Sequence, residues 1–263
     1  MISINEIEFA RQRIAGDVLL TPCAYSEKLS QLTGCELYLK LENLQKTGSF
    51  KDRGALNRIL ALSGEEREAG IIAASAGNHA QGGAHAAKVC GLRCIIVMPE
   101  TTPLSKVNGT RELGADIVLH GAGYDDAFEE ASRLRQEHGY TLVHAFDDEA
   151  VIAGQGTIGL ELLEQVPDMD AVIVPVGGGG LISGIATAIK AKRPDVELVG
   201  VESEHLPAMQ KSVAAGEITP VETASTISDG IAVRRVGRLT MPIVRELVSR
   251  IVTVSTGCCA GLF

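Results

Sequence analysis

The stretch Gly48-Ser49-Phe50-Lys51-Asp52-Arg53-Gly54 places a lysine in the first turn of a predicted helix. Residues 37–41 predict a strand before it, and Ser49, with Asp52 three residues further on, fits a capped helix start. A lysine at this position lies against the positive end of the helix dipole, which disfavours the ammonium form. Because a less basic lysine is suited to Schiff-base chemistry, Lys51 is a candidate catalytic residue. A solvated surface lysine at a helix start would fit the same heptapeptide.

The composition excludes several classes of protein. The chain has 263 residues, a net charge of -9 and 45% hydrophobic residues, and it contains no basic cluster, so neither nucleic acid nor a membrane is an expected partner. Charged residues interrupt the first turns and no apolar run reaches transmembrane length, which argues against a signal peptide or a membrane span. The six cysteines form no C-x-x-C pair, and we expect reduced thiols in a cytoplasmic protein.

Strand and helix patterns alternate along the rest of the chain. Short apolar runs predict buried parallel strands at 71–75, 94–98, 116–119, 171–176 and 198–201. Helical patterns occupy 3–15, 49–62, 78–90, 103–113, 124–138, 152–166, 181–191 and 206–215. This alternation predicts α/β architecture with parallel sheets.

Four consecutive glycines, Gly177, Gly178, Gly179 and Gly180, connect one of these strands to a helix that begins at Leu181. The backbone N–H groups of such a loop can turn toward an anion without obstruction, and the helix dipole adds positive potential. The loop is therefore expected to bind a phosphate group, with a ligand-free turn as the alternative.

Known nucleotide motifs do not match this loop. The dinucleotide fingerprint needs glycines at i, i+2 and i+5, and neither Gly177 nor Gly178 starts such a series. Glu202 ends the next predicted strand at about the right distance for a ribose-binding acid, so a nicotinamide site is weakened rather than excluded. A P-loop fails because Ile185 stands where its lysine would be.

A second strand-to-helix turn reads Ser75-Ala76-Gly77-Asn78-His79. It comes within one residue of a nucleophile elbow, and a serine hydrolase could be completed with Asp147 and His205. Nothing else supports a hydrolase, so we favour a loop that presents Ser75, backbone N–H groups and Asn78 to a small anion such as a carboxylate. His79 is more simply explained as a residue of the helix N-terminus than as a catalytic group.

Taken in this order, the lysine segment, the Ser-Ala-Gly-Asn-His turn and the tetraglycine loop resemble the fold-type II pyridoxal-phosphate enzymes. This is the tryptophan synthase β-subunit superfamily, and within it the chain looks similar to a threonine (serine) dehydratase. Further similar runs lie at 39–45, 146–148, 151–157 and 226–233, so the resemblance extends over about residues 5–255. It implies an α/β fold of two open parallel-sheet domains and pyridoxal 5'-phosphate as the cofactor.

The resemblance also implies roles for the residues that match. Lys51 would bind the cofactor as an imine and later move the α-proton of the substrate, while Phe50 would pack near the cofactor ring. Asn78 would hydrogen-bond the 3-hydroxyl oxygen of the cofactor. The backbone N–H groups of Gly177, Gly178, Gly179, Gly180 and Leu181 would hold its phosphate.

The amino-acid substrate would be bound through its carboxylate by Ser75, Ala76, Gly77 and His79. The implied reaction is the β-elimination and deamination of L-threonine and L-serine to a 2-oxo acid and ammonia, in isoleucine biosynthesis or threonine catabolism. Serine racemase, serine dehydratase and threonine synthase of the same fold are the alternatives. Serine racemases carry a second serine where this chain has Ala76, which favours elimination over racemisation. Metal dependence does not follow from the sequence.

The family fold further implies a split large domain, residues 1–45 and 147–263, with a small domain at 46–146 inserted in it. After Ser255 the sequence departs from the family, whose members continue through further helices and a serine-containing loop that meets the pyridine nitrogen. We therefore expect a large domain truncated at its C-terminus, so an inactive remnant is the alternative outside the enzyme class. The intact protein is expected to be a homo-oligomer.

Overall fold

The computed structural model describes residues 2–224, 226–255 and 257. The elements in chain order are α1 (Ile4–Arg13), β1 (Cys23–Tyr25), α2 (Glu27–Thr33), β2 (Tyr38–Lys40), α3 (Lys51–Leu60), α4 (Gly64–Ala69), β3 (Ile71–Ala74), α5 (Asn78–Val89), β4 (Cys94–Met98), α6 (Leu104–Glu112), β5 (Asp116–Leu119), α7 (Tyr124–His138), β6 (Thr141–Leu142), α8 (Glu149–Gln165), β7 (Ala171–Pro175), α9 (Gly180–Lys192), β8 (Glu197–Ser203), α10 (Ala208–Ala215), α11 (Thr240–Leu247) and β9 (Arg250–Val254). Single 3₁₀ turns lie at Glu42–Leu44 and Asp229–Ile231. The predicted α/β architecture is confirmed.

The capping box expected at the start of α3 forms only in part. The helix begins at Lys51 with Phe50 at the N-cap, and the Ser49 hydroxyl accepts a long hydrogen bond, 3.4 Å, from the Lys51 N–H. Asp52 instead accepts hydrogen bonds from the backbone N–H of Thr47, at 3.1 Å, and from the Thr47 hydroxyl. Asp52 therefore closes the loop in front of the helix rather than completing a capping box.

The first sheet has the strand order β5-β4-β3-β6, with every pair parallel. Alternate residues of β3 face opposite sides, because successive side chains of a strand point in opposite directions. Ile71 and Ala73 pack in a cluster with α3 and α5, whereas Ile72 and Ala74 pack with α7. Both faces of this sheet are therefore covered, as expected for a parallel sheet.

The second sheet has the order β7-β8-β9 and is also parallel. Its core includes Val174, Leu198 and Ile182, together with side chains of α10 and α11. Strands β1 and β2 form a separate antiparallel pair. The division of the chain into domains at 45/46 and 146/147 stays a prediction.

The strand order of the first sheet fixes where a ligand can bind. The chain proceeds outward from β3 to β4 and β5, and then returns to place β6 on the other side of β3. Ligands of open α/β sheets bind beyond the carboxyl ends of the strands, at such a topological switch point. The loops that follow β3 and β6 are residues 75–77 and 143–148, and they lie at this point.

Helix α3 is anchored by a buried ionic cluster. Arg53, which is 1% exposed, forms ion pairs with Glu42, at 2.8 Å, and with Glu161 of α8. Lys40 also pairs with Glu161. Because breaking one partner of a buried pair leaves an uncompensated charge, this cluster fixes α3, and with it Lys51, against α8.

Two absences hold for the described part of the chain. None of its helices combines the length and apolar content needed to cross a membrane. No group of three or more metal-ligating side chains occurs there either. Cys23, Cys35, Cys90 and Cys94 are free thiols as expected, and Cys258 and Cys259 lie outside the described residues.

Candidate active site

Lys51 is the first residue of α3, and its amine is buried although the residue as a whole is half-buried. The Nζ atom donates a hydrogen bond to the backbone oxygen of Ala145 at 2.7 Å and lies 5.2 Å from the centre of the Phe50 ring. Burial lowers the pKa of Lys51 to about 8. The low basicity expected from the sequence is therefore present, but burial rather than the helix dipole is its main cause.

The loop after β3 presents the Ser75 turn beside this lysine. Ser75, Ala76 and Gly77 are half-buried, and the Ser75 hydroxyl accepts a hydrogen bond from the Gly77 N–H at 3.2 Å. Asn78 begins α5 and is exposed. On the same helix, a Cβ added at Gly82 would lie 3.2 Å from the Lys51 Cβ, so α5 passes close to the lysine.

His79 lies beneath the turn and is buried. Its Nε2 atom is 2.8 Å from the backbone oxygen of Val143, and since a carbonyl only accepts, Nε2 carries the proton. Nδ1 is buried without a hydrogen-bond partner. Burial, and secondarily the Lys51 amine, lowers the pKa of His79 to about 3. His79 is therefore neutral and joins the loops after β3 and β6.

The tetraglycine loop leads from β7 into α9. Gly179 adopts a left-handed conformation with φ +96° at the N-cap, and the first N–H groups of α9 have no acceptor within the helix. A Cβ at Gly178 would overlap the ring of Phe146, and one at Gly180 would lie 2.9 Å from the Phe146 Cβ. The glycines are thus required by close packing, and backbone N–H groups are left for an anion.

The dipeptide Ala145-Phe146 lies between Lys51 and the tetraglycine loop. Ala145 accepts the hydrogen bond from Lys51, and its neighbour Phe146 packs on Gly178 and Gly180. A buried amine of lowered pKa on one side of this dipeptide and an anion loop on the other fit a group that carries both a carbonyl and a phosphate. Residues 229–233 lie nearby, since a Cβ at Gly177 would be 3.2 Å from the Ile231 Cα.

The alternative sites weighed from the sequence are not formed. Glu202 is buried and accepts hydrogen bonds from the N–H groups of Met209 and Gln210, each at 2.8 Å, so its carboxylate caps α10 instead of facing a ribose. Burial raises its pKa to about 7, although these two N–H groups favour the ionised form. Asp147 is bound to backbone N–H groups and His205 is exposed next to Glu204, so neither assembles with Ser75 into a triad.

Fold and site together fit an α/β protein that binds a phosphorylated carbonyl compound. The family model described as "Pyridoxal-phosphate dependent enzyme" matches residues 14–260. The chain belongs to this family, and the expected fold type and cofactor are confirmed.

Its relatives include an L-threonine ammonia-lyase of Thermotoga maritima, 51% identical over 97% of this chain and 64% of the relative. The L-threonine dehydratase catabolic TdcB of Escherichia coli is 46% identical over 97% of this chain and 77% of the relative. The chain thus spans less than two thirds of the length of the first of these relatives. The sequence was expected to depart from the family after Ser255. Of the residues concerned, 256–263, only Gly257 belongs to the described part of the chain.

Solved structures of similar proteins cover nearly the whole chain. A threonine deaminase from T.th. superimposes with a TM-score of 0.94 at 44% identity, covering 99% of this chain and 84% of that one. Maize serine racemase superimposes with a TM-score of 0.95 at 39% identity, covering 98% of this chain and 78% of that one.

Sequence reasoning did not identify the segment from Val143 to Asp147 as part of the site, although it noted the run at 146–148. The segment follows β6, which has only two residues and gives no strand signal. Thr240, whose hydroxyl donates to the Gly178 oxygen at 2.6 Å, was missed as well, because it lies 62 positions away in the chain.

Proposed function

We propose that this chain is a threonine ammonia-lyase, acting on L-threonine and also on L-serine. The observation that carries the proposal is the Lys51 amine, whose pKa is lowered to about 8. This amine donates a hydrogen bond to the Ala145 oxygen, and the next residue, Phe146, packs on the tetraglycine loop. The names of the relatives supply the substrate class: an ammonia-lyase and a dehydratase of L-threonine.

Each residue of the site has a chemical task in this proposal. Pyridoxal phosphate, when bound, draws electrons from the substrate Cα and so makes its proton acidic. Lys51 would hold the cofactor covalently and would then accept the Cα proton, which its lowered pKa permits near neutral pH. The phosphate would be bound by the backbone N–H groups of Gly177, Gly178, Gly179, Gly180 and Leu181.

The remaining residues orient the two reactants. Asn78 would donate a hydrogen bond from its side-chain amide to the 3-hydroxyl oxygen of the cofactor, and Phe50 would pack against the cofactor ring. Ser75 and the backbone of Ala76 and Gly77 bind the substrate carboxylate, with His79 supporting that loop from below. Loss of the Cα proton and the β-hydroxyl, followed by hydrolysis, converts L-threonine to 2-oxobutanoate and ammonia.

Serine racemase is the second candidate, because the maize enzyme has the same fold. Ala76 opposes this function, since its methyl group offers no proton to the face of Cα opposite Lys51. We therefore expect elimination to dominate. The preference between threonine and serine, the cytoplasmic location and the homo-oligomeric state remain expectations.

The test is borohydride trapping of pyridoxal phosphate on the purified chain, followed by peptide mass spectrometry and product analysis. The cofactor should be found on Lys51, and Lys51→Ala should neither retain it nor release 2-oxobutanoate from L-threonine. Labelling of another lysine would contradict the assignment of Lys51. A yield of D-serine from L-serine equal to that of pyruvate would favour the racemase.

A further inference from the structure

Asp147 has no role in the proposed reaction, yet both of its carboxylate oxygens are engaged by one turn of backbone. Oδ2 accepts a hydrogen bond from the N–H of Arg238 at 2.9 Å, and Oδ1 accepts one from the N–H of Leu239 at 2.8 Å. These two residues immediately precede α11, whose own N-cap provides no side-chain hydrogen bond. Asp147 therefore supplies, from a distant part of the chain, the negative charge that a helix start favours.

The same turn binds the tetraglycine loop. The backbone oxygen of Gly178 accepts hydrogen bonds from the N–H of Gly237, at 3.2 Å, and from the hydroxyl of Thr240, at 2.6 Å. Thr240 is fully buried. A Cβ at Gly237 would overlap the Asp147 carboxylate and would lie 2.8 Å from the Thr240 Oγ1, so the three groups are closely packed.

Holding this oxygen also determines the direction of an N–H group. The peptide unit is planar and trans, so the oxygen of Gly178 and the N–H of Gly179 point to opposite sides. With the oxygen directed to Gly237 and Thr240, the Gly179 N–H is directed away from α11. Glycine at φ +96° could otherwise rotate this peptide at little cost.

We propose that Asp147 is a positioning residue for phosphate binding. It fixes residues 237–240, which fix the Gly178 oxygen, and the Gly179 N–H is thereby held ready for the phosphate of the cofactor. This inference rests on the proposed function, in which the tetraglycine loop binds that phosphate. A simple cap would stabilise α11 but would leave the discrimination between phosphorylated and unphosphorylated ligands unchanged.

The test compares the dissociation constants of pyridoxal phosphate and pyridoxal for each variant. The ratio of the two dissociation constants measures how much the phosphate group contributes to binding. Chemical differences between the two compounds are the same for every variant, so they cancel when the ratios of two variants are compared. Asp147→Ala should reduce the preference for the phosphorylated compound by about tenfold or more, the loss expected for a charge-assisted hydrogen bond that acts on the site. Thr240→Val, which deletes the hydroxyl and keeps the side-chain shape, should shift the ratio in the same direction.

Asp148→Ala is the matched control. Asp148 caps α8 through the Val151 N–H at 2.9 Å and pairs with Arg58 at 3.0 Å, so its loss should lower the melting temperature and leave the ratio unchanged. If Asp147→Ala does not fold, Asp147→Asn, which retains one acceptor oxygen, replaces it.

Two outcomes would overturn the proposal and can be told apart. An unchanged ratio in the folded Asp147 variant and in Thr240→Val, with a wild-type preference for the phosphorylated compound, would leave Asp147 as a cap alone. A wild-type protein without any such preference would refute phosphate binding by the loop, and the role of Asp147 with it.

Discussion

At the scale of single residues, the chemistry of this site depends on burial. Lys51 has its pKa lowered to about 8 and His79 to about 3, in each case chiefly because the charged form loses water. The sequence predicted a lowered pKa for Lys51, but it attributed the effect to the helix start. Burial depends on α5 and on the loop after β6, which are distant in sequence, so the heptapeptide alone could not reveal it.

The lowered pKa of Lys51 predicts how stability depends on pH in the cofactor-free protein. Between about 8 and the ordinary value of 10.5, the unfolded chain binds more protons at this lysine than the folded one does. Stability contributed by Lys51 is therefore present above 10.5 and is lost as the pH falls through 8. Thermal melts of wild type and Lys51→Met should show a difference that grows in favour of wild type between pH 8 and 10. A constant difference over this range would contradict the buried amine.

At the scale of elements, the sequence predicted the longer helices and strands well. Strand β4 and helix α7 have the predicted bounds because their patterns are long and uninterrupted. Strand β2 lies within the strand predicted at 37–41. Strand β6 was missed because two residues carry no periodicity, and β1 was missed because it lacks the continuous apolar run of a buried strand. In the site, Lys51 and the tetraglycine loop are contiguous signals, whereas the contacts of Asp147 with residues 238–239 arise only from the tertiary fold.

Helix α8 packs closely against two other helices, and glycine makes both contacts possible. A Cβ at Gly154 would lie 2.7 Å from the backbone oxygen of Arg53 in α3. A Cβ at Gly184 of α9 would lie 2.5 Å from the backbone nitrogen of Gly156 and would overlap the oxygen of Ile152. Neither contact is with a flexible side chain, so the helices themselves must move apart if a methyl group is added.

Gly184→Ala should therefore lower the free energy of unfolding by about 1–3 kcal/mol through overpacking. Gly83→Ala is the matched control, because Gly83 lies inside α5 and a Cβ there meets no atom within 4 Å. That change should stabilise the protein by about 0.5–1 kcal/mol, the usual gain from replacing glycine within a helix. Urea unfolding of both variants measures the two effects, and equal stabilities would show that the α8–α9 contact can relax.

At the scale of the whole molecule, two ion pairs join residues 229–234 to helices beside the first sheet. Lys106 of α6 pairs with Asp229, and Arg234 pairs with Asp125 of α7, each at 2.9 Å. The segment between these anchors passes next to Gly177 and Asn78. All four charged side chains are at least 40% exposed, so each pair contributes about 0.2–1 kcal/mol and can open readily.

Lys106→Glu should therefore loosen this segment without unfolding the protein. Tryptic cleavage after Arg234, quantified by mass spectrometry, should accelerate by up to about fivefold, the factor equivalent to ~1 kcal/mol. Lys192→Glu breaks a comparable exposed pair with Glu8, at 2.7 Å, far from the segment and serves as the control. If both variants are cleaved at this position at the same rate, the Lys106–Asp229 pair does not restrain the segment.

The acceptor for the Lys51 amine is a peptide oxygen, that of Ala145, and the same holds for His79 with Val143. Every amino acid carries this oxygen, so no exchange of one residue for another can delete it from the gene product. The length of the loop is a different matter, because inserting or removing one residue after β6 would present the wrong oxygen to the amine. Over evolutionary time, the loop after β6 can therefore change its amino acids more freely than its length.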